Sequence, residues 1–338
     1  MTQVEMYEYF QRKAMESHSL FQIEIDVTSK CNANCPFCFQ GDHNHAARDE
    51  MSLQMITNLL DDLREMGTYY IGFSGGEPFA RDDFPDILEA AKKRGFRVSL
   101  ITNAMLLSEE KIDRLSELGI ERVTVSFHSI HQNTYGKSFG INSSNQYFVA
   151  LDNIHHMLKR NISLGLAITV TKDTIQDLED TTKHFLDLGL REQDINYNLL
   201  LRGQREIEEL MPKESDIVNN GKYLSNKINS SNSDIALLCA AGTYSCSIDA
   251  FGNVYPCTFF NSIAGNLYNQ SISEIWETSH LFKIIRSFRE EMFQKCASCS
   301  NKGKCHLCIA TNLNETNNIF EPSSSFCESR KARFKMYA

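Results

Sequence analysis

The chain has 338 residues, 42% of them hydrophobic, enough to bury one large core and a smaller one. Its net charge of −9 weighs against binding a nucleic-acid backbone or an anionic membrane. No run of eighteen apolar residues occurs, and the acidic start Met-Thr-Gln-Val-Glu-Met-Tyr-Glu-Tyr-Phe lacks a signal-peptide pattern. A cytoplasmic location is expected, and there eleven cysteines serve better as metal ligands than as disulfides.

Residues 1–20 read as a helical extension. The run Phe-Gln-Ile-Glu-Ile-Asp-Val alternates as a first strand over Phe21 to Val27, and further strands are expected over Tyr69 to Phe73, Arg97 to Thr102, Arg122 to Phe127, Leu164 to Val170 and Ile195 to Leu201. Between them helices are expected over Ser52 to Met66, Phe84 to Arg94, Ser108 to Leu118, Gln146 to Lys159 and Ile175 to Leu188. Ser52 and Ser108 read as N-caps, and Gly67, Gly95, Gly119 and Gly189 stand where helices would stop. Strict alternation over 21–202 implies parallel strands joined by crossovers, an open or closed α/β barrel with its chemistry at the carboxyl ends of the strands. Residues 203–235 read as a polar linker with one helix over Lys213 to Lys227 and the solvated run Asn-Ser-Ser-Asn-Ser-Asp. Residues 236–338 form a smaller unit that holds the other eight cysteines.

Directly after the first strand stands Lys-Cys-Asn-Ala-Asn-Cys-Pro-Phe-Cys-Phe. Cys31, Cys35 and Cys38 in one short loop can hold three irons of a four-iron cluster and leave the fourth iron open. A zinc site completed by His43 or His45 is the competing reading of the loop, with plain buried cysteines behind it. The second strand ends in Phe-Ser-Gly-Gly-Glu-Pro, residues 73 to 78, where two glycines permit close approach to the backbone and a carboxylate can accept from an ammonium group.

The three-then-two cysteine spacing, Phe37 just before the third cysteine, and the Gly-Gly-Glu-Pro turn resemble the radical S-adenosylmethionine (radical SAM) enzymes. The resemblance implies a partial (β/α)6 barrel. It also implies a 4Fe-4S cluster on Cys31, Cys35 and Cys38 whose open iron chelates the methionine part of S-adenosylmethionine, with Gly75, Gly76, Glu77 and Pro78 about its amino group. Asn103 and Ser126, ending the third and fourth strands, would contact ribose or carboxylate; otherwise Asn103 caps a turn and Ser126 packs in the barrel. Val170 to Lys172 would line the adenine.

Downstream, Cys239, Cys246 and Cys257, with Gly252 in Phe-Gly-Asn-Val-Tyr-Pro-Cys, precede Cys296, Cys299, Cys305, Cys308 and Cys327. Alone, Cys296 to Cys308 could be a zinc ribbon. The whole series, with Gly-Asn-Leu at 265–267 and Ser-Ile-Ser-Glu-Ile-Trp at 271–276, resembles the cysteine-rich SPASM extension of radical SAM enzymes, which carries two auxiliary clusters. That pattern would give the first auxiliary cluster Cys239, Cys246, Cys257 and Cys308, and the second Cys296, Cys299, Cys305 and Cys327. All eleven cysteines would then be ligands of three 4Fe-4S clusters. The spacing from Cys305 to Cys308 is one residue shorter than usual. The extension usually has seven cysteines rather than eight, so Cys239 or Cys246 is the extra one, and a free Cys246 could act as hydrogen-atom donor.

What the resemblance implies is reductive cleavage of S-adenosylmethionine and hydrogen abstraction from a peptide or protein substrate, leading to a crosslink, an oxidation or an epimerisation. The alternatives are a dehydrogenase or epimerase of a sugar or aminocyclitol and, remotely, a zinc-binding interaction module. Thr258 stands where the sulfatase-maturing branch carries an aspartate, which lowers that branch. His128 is a candidate proton acceptor near the barrel mouth; counted from Phe127, strand alternation sets it opposite Ser126, and a structural hydrogen bond is the other reading. Tyr197, Asn198 and Arg202 are candidates for substrate contact, and His306 reads as solvated. Expected partners are the substrate and a flavodoxin- or ferredoxin-like electron donor; since about twenty residues precede the first strand, any leader peptide would be recognised by the barrel, by the extension or by a separate leader-peptide-binding protein. No nucleic acid or membrane partner is expected.

Overall fold

The computed structural model describes residues 3–40, 49–141, 144–200, 207–224, 239–302, 305 and 307–334. His43, His45, Arg202, His306 and the Asn-Ser-Ser-Asn-Ser-Asp run lie outside them. Six parallel strands alternate with helices: β1 (Gln22–Asp26), β2 (Tyr70–Ser74), β3 (Arg97–Thr102), β4 (Arg122–Ser126), β5 (Leu164–Val170) and β6 (Ile195–Leu199). The helices are α1 (Gln3–Ser17), α2 (Leu53–Glu65), α3 (Phe84–Lys93), α4 (Glu109–Glu117), α5 (Gln132–Phe139), α6 (Ser144–Lys159) and α7 (Leu178–Asp187). Each expected strand is present within two residues.

Residues two apart share a face of a strand. Ile23, Ile25, Ile71, Phe73, Val98, Leu100, Val123 and Val125 are buried in a core that also holds Ile56 and Leu60 of α2 and Ile87 and Leu88 of α3. Glu24, Ser74, Ser126, Ala167, Thr169 and Asn198 line a cavity on the other face. Ser52 and Ser108 cap α2 and α4 by accepting from Met55 N and Lys111 N, and Gly67, Gly95, Gly119 and Gly189 follow their helices with positive φ.

α5 has no counterpart in the sequence reading, because Asn-Thr-Tyr-Gly-Lys-Ser carries little apolar periodicity; it nevertheless buries Tyr135 and Phe139 and ends at the left-handed Gly140. The helix expected over Lys213 to Lys227 is instead two short pieces, α8 (Glu214–Asn219) and α9 (Gly221–Leu224), divided at Asn220, with 225–238 outside the described residues.

The C-terminal part continues the same sheet. β7 (Ser245–Ile248) pairs parallel with β1, and β8 (Asn253–Tyr255) and β9 (Gly265–Asn266) follow antiparallel, giving the order β6-β5-β4-β3-β2-β1-β7-β8-β9. The order is linear, so the barrel stays open. α10 (Ile272–Thr278) packs beside α2, and Trp276 Nε1 donates to His18 O at 2.8 Å. α11 (His280–Ser287), α12 (Gln294–Ala297), α13 (Ile309–Thr316) and α14 (Ser324–Phe334) complete this part, with a second core on Phe260, Phe288, Phe293 and Ile309. Among the described residues no helix is long and apolar enough to cross a membrane.

Candidate functional site

The loop after β1 is fixed on three sides. The Glu50 carboxylate accepts from Thr28 Oγ1, Ser29 N and Ser29 Oγ at 2.7–3.0 Å. Arg81 donates to Val27 O and Met51 O at 2.8 Å, and Asn34 N donates to Phe139 O at 2.8 Å. On the β2 side Gly76 N donates to Thr28 O and Glu77 N to Lys30 O, both at 2.8 Å. This approach is why glycines stand there: a Cβ on Gly75 would lie 2.4 Å from Thr28 O, and one on Gly76 2.3 Å from Lys30 O. Gly140 meets the loop likewise, its Cβ position 2.1 Å from Asn34 O. Sequence reasoning missed Glu50, Arg81 and Gly140, whose partners in this loop lie more than twenty residues away in the chain.

Cys31, Cys35, Phe37 and Cys38 line a cavity of about 530 Å³ together with Gly75, Gly76, Asn103, Ser126, His128, Thr169 and Asn198, and with Thr258 and Phe259 from the C-terminal part. Its size suits a nucleoside-sized ligand. Burial pushes the Cys31 thiol up to about 11 and raises Cys35 further, each thiolate also opposing its neighbours. Such a set lacks positive charge, which bound iron supplies, so the donors fit a cluster. Among the described residues no three His, Cys, Asp or Glu side chains converge on one ion. Tetrahedral zinc, with Zn–S of about 2.3 Å, would need that convergence, whereas a four-iron cube holds its thiolates farther apart.

Several expected residues sit elsewhere than the sequence suggested. The Glu77 carboxylate is 1% exposed and turned away from the cavity: Oε1 accepts from Thr102 Oγ1 at 2.7 Å and Phe79 N at 3.2 Å, and Oε2 from Asn103 N at 2.7 Å. It ties the end of β2 to that of β3, and Pro78 is buried beside it. Asn103 does face the cavity, with Nδ2 donating to Asn32 Oδ1 at 2.7 Å. Val170 is fully buried on the helix side; one residue of alternation makes Thr169 and Ala167 the cavity wall instead. Tyr197 likewise turns away and bonds Thr182 Oγ1 at 2.6 Å, leaving Asn198 on the cavity.

His128 is two residues from Ser126 and shares its face, contrary to the count from Phe127, which packs on the helix side against Tyr135 and Phe185. The imidazole stacks on Phe139 at 4.7 Å and meets the Phe37 edge at 5.2 Å, and Nδ1 accepts from Thr169 N at 3.1 Å. Burial lowers its pKa to about 3. With Nδ1 occupied, the neutral ring carries its proton on Nε2, a donor rather than a proton acceptor.

In the C-terminal part Cys296, Cys299, Cys305 and Cys327 line one small cavity. Burial pushes Cys305 up to about 11, moderated by Arg330. Cys257, pushed up to about 12 by burial, is within Coulomb range of Cys239 and Cys308. Cys246 joins neither group. It is 1% exposed in β7 opposite Ile23 of β1, part of the barrel core, and apart from burial the influence on it is Arg286.

The family model of the radical SAM superfamily matches residues 25–185, and that of the SPASM iron-sulfur cluster-binding domain matches residues 239–300. The chain belongs to the radical SAM superfamily and carries a SPASM domain, a class whose cofactors are iron-sulfur clusters and S-adenosylmethionine. An AdoMet-dependent heme synthase of Methanosarcina barkeri is 24% identical over 88% of this chain and 94% of its own. A PqqA peptide cyclase of Gluconobacter oxydans is 23% identical over 82% of each. Among solved structures, Streptococcus suis SuiB bound to precursor peptide SuiA shares the fold, with a TM-score of 0.73 at 17% identity over 95% of this chain and 81% of that one.

Proposed function

We propose that the protein is a peptide-modifying radical SAM enzyme that abstracts a hydrogen atom from a side chain of its substrate. One observation carries the reading: a single cavity has the three-cysteine loop and the Gly75–Gly76 backbone on one wall, and on another Thr258 and Phe259, next to Cys257 of the SPASM domain. A substrate held there would stand between a site of radical formation and an auxiliary cluster able to take an electron. When bound, the clusters and S-adenosylmethionine supply one-electron reduction and a hydrogen-abstracting radical.

The chain's own residues orient and enclose. Asn103, Ser126, Thr169 and Asn198 offer polar groups along the strand ends. Phe37, His128 and Phe139 form an aromatic wall that keeps water from the reacting atoms. We assign three clusters: Cys31, Cys35 and Cys38; Cys239, Cys257 and Cys308; and Cys296, Cys299, Cys305 and Cys327. Cys246 is left as a buried thiol.

Similarity to the PqqA peptide cyclase supports a peptide. A tetrapyrrole, the class that the heme synthase's name points to, bears carboxylates that would meet Glu24 on this cavity and no lysine or arginine among its described lining residues, which disfavours that reading. Anaerobic reconstitution should give about twelve irons per chain, and S-adenosylmethionine with a strong reductant should yield 5′-deoxyadenosine. Incubation with the product of any short reading frame beside its gene should change that peptide's mass. Deoxyadenosine formation with no peptide changed, together with turnover of an amine or sugar metabolite, refutes the peptide assignment.

A further inference from the structure

Beside the barrel cavity lies a second one of about 340 Å³, between the end of β1 and the β7–β8 hairpin; the two share Phe39 and Thr258. Its wall is acidic and incompletely bonded. Asp26 Oδ2 accepts from Gln40 Nε2 at 2.9 Å, whereas Oδ1 is enclosed with no hydrogen-bond partner among the described residues. Ser247 Oγ, on a residue 5% exposed, also lacks one. Asp249 is saturated: Oδ1 accepts from Phe251 N and Asn253 N, and Oδ2 from Asn253 Nδ2 and Tyr255 OH. Glu24 lies on the same face of β1 as Asp26 and pairs in register with Ser247. The groups acting on the Asp26 carboxyl are Glu24, Asp249 and Gln40, none of them cationic.

A buried carboxylate oxygen and a hydroxyl without partners are costly unless a ligand completes them. What completes them can donate hydrogen bonds, and positive charge suits it: Asp26 and Asp249 wall the pocket, Glu24 acts on Asp26 from the neighbouring cavity, and a bound cation would displace the proton that burial keeps on Asp26. A bare metal ion does not fit, since no three such side chains converge on one position among the described residues. We propose that this pocket seats a cationic nitrogen of the substrate, a primary ammonium or guanidinium group, with Asp26 Oδ1 and Ser247 Oγ as its acceptors. An aliphatic stem would run past Phe39 into the barrel cavity, and so present its carbons to the reactive centre. The inference rests on the reading that the barrel cavity holds substrate, and it names the substrate class: a lysine- or arginine-bearing peptide.

The test uses the reconstituted protein with S-adenosylmethionine and two probes, Nα-acetyl-lysine amide and the uncharged Nα-acetyl-norleucine amide, titrated by ligand-observed NMR. The lysine probe should bind at least tenfold tighter. Asp26→Asn should abolish that preference, and Ser247→Ala should reduce it about threefold. Equal binding of the two probes by the unaltered protein overturns the proposal, as does a preference that survives in Asp26→Asn at full iron content. The unaltered-protein comparison decides even if a variant fails to fold. Deoxyadenosine is assayed separately: its absence counts against the radical reading and leaves the cation preference standing, whereas its presence without cation preference refutes this proposal alone.

Discussion

Replacing Glu77 by alanine separates two jobs open to this carboxylate, tying strand ends together or holding the amino group of the cofactor. In the structure it accepts from Phe79 N, Asn103 N and Thr102 Oγ1. Alanine leaves the two buried N–H groups without acceptors, at about 1–3 kcal/mol each, while the threonine hydroxyl can rotate to another acceptor. Against this, the wild-type protein ionises a carboxyl whose pKa burial raises from 4.5 to about 6, which costs about 2 kcal/mol above pH 6 and nothing below 4.5. The expected net loss at pH 7.5 is therefore about 2 kcal/mol, or about 3 °C in melting temperature for a chain of this length. The assay is thermal unfolding of reconstituted protein without S-adenosylmethionine, because added ligand stabilises in its own right. A variant that melts with the wild type but binds S-adenosylmethionine tenfold more weakly would refute the strand-tying role.

Asp26 has its pKa raised from 3.8 to about 8 by burial, then by Glu24 and Asp249. The folded protein holds a proton there that the unfolded chain releases, so wild-type stability should fall relative to Asp26→Asn between pH 4 and 8. The difference is absent below pH 4 and complete above 8, with a ceiling on the order of 5 kcal/mol that solvent reaching the half-buried side chain lowers; parallel melting curves across that range would exclude this. Cys246→Ala should retain the full iron content, whereas Cys257→Ala should lose about four irons per chain, as counted by chelation assay. Gly140→Ala would drive a methyl against Asn34 O and should reduce iron incorporation at Cys31, Cys35 and Cys38, seen as lost visible absorption; normal loading would mean the loop yields at little cost.

The chain's periodicity specifies its six parallel strands, because each places apolar residues at every second position beside amphipathic helices whose ends are marked locally, by Ser52 and Ser108 as caps and by Gly67, Gly95, Gly119 and Gly189 as stops. Cysteine spacing within 31–38 is likewise local, and the comparisons uphold the family it suggests. What the sequence could not determine depends on which atoms meet across long separations. Glu77 turns to Asn103 rather than to the cavity because β3 brings a buried N–H to it. A single step of strand alternation exchanges Val170 for Thr169 and sets His128 beside Ser126. Cys239 and Cys246 look equivalent along the chain, yet the parallel pairing of β7 with β1 sends Cys246 into the barrel core while Cys239 stays near Cys257 and Cys308. That same pairing places Ser247 beside β1, and the hairpin that follows brings Asp249 to Asp26. Spacing along one strand reveals a face, but the charge balance of a pocket belongs to all the strands that wall it.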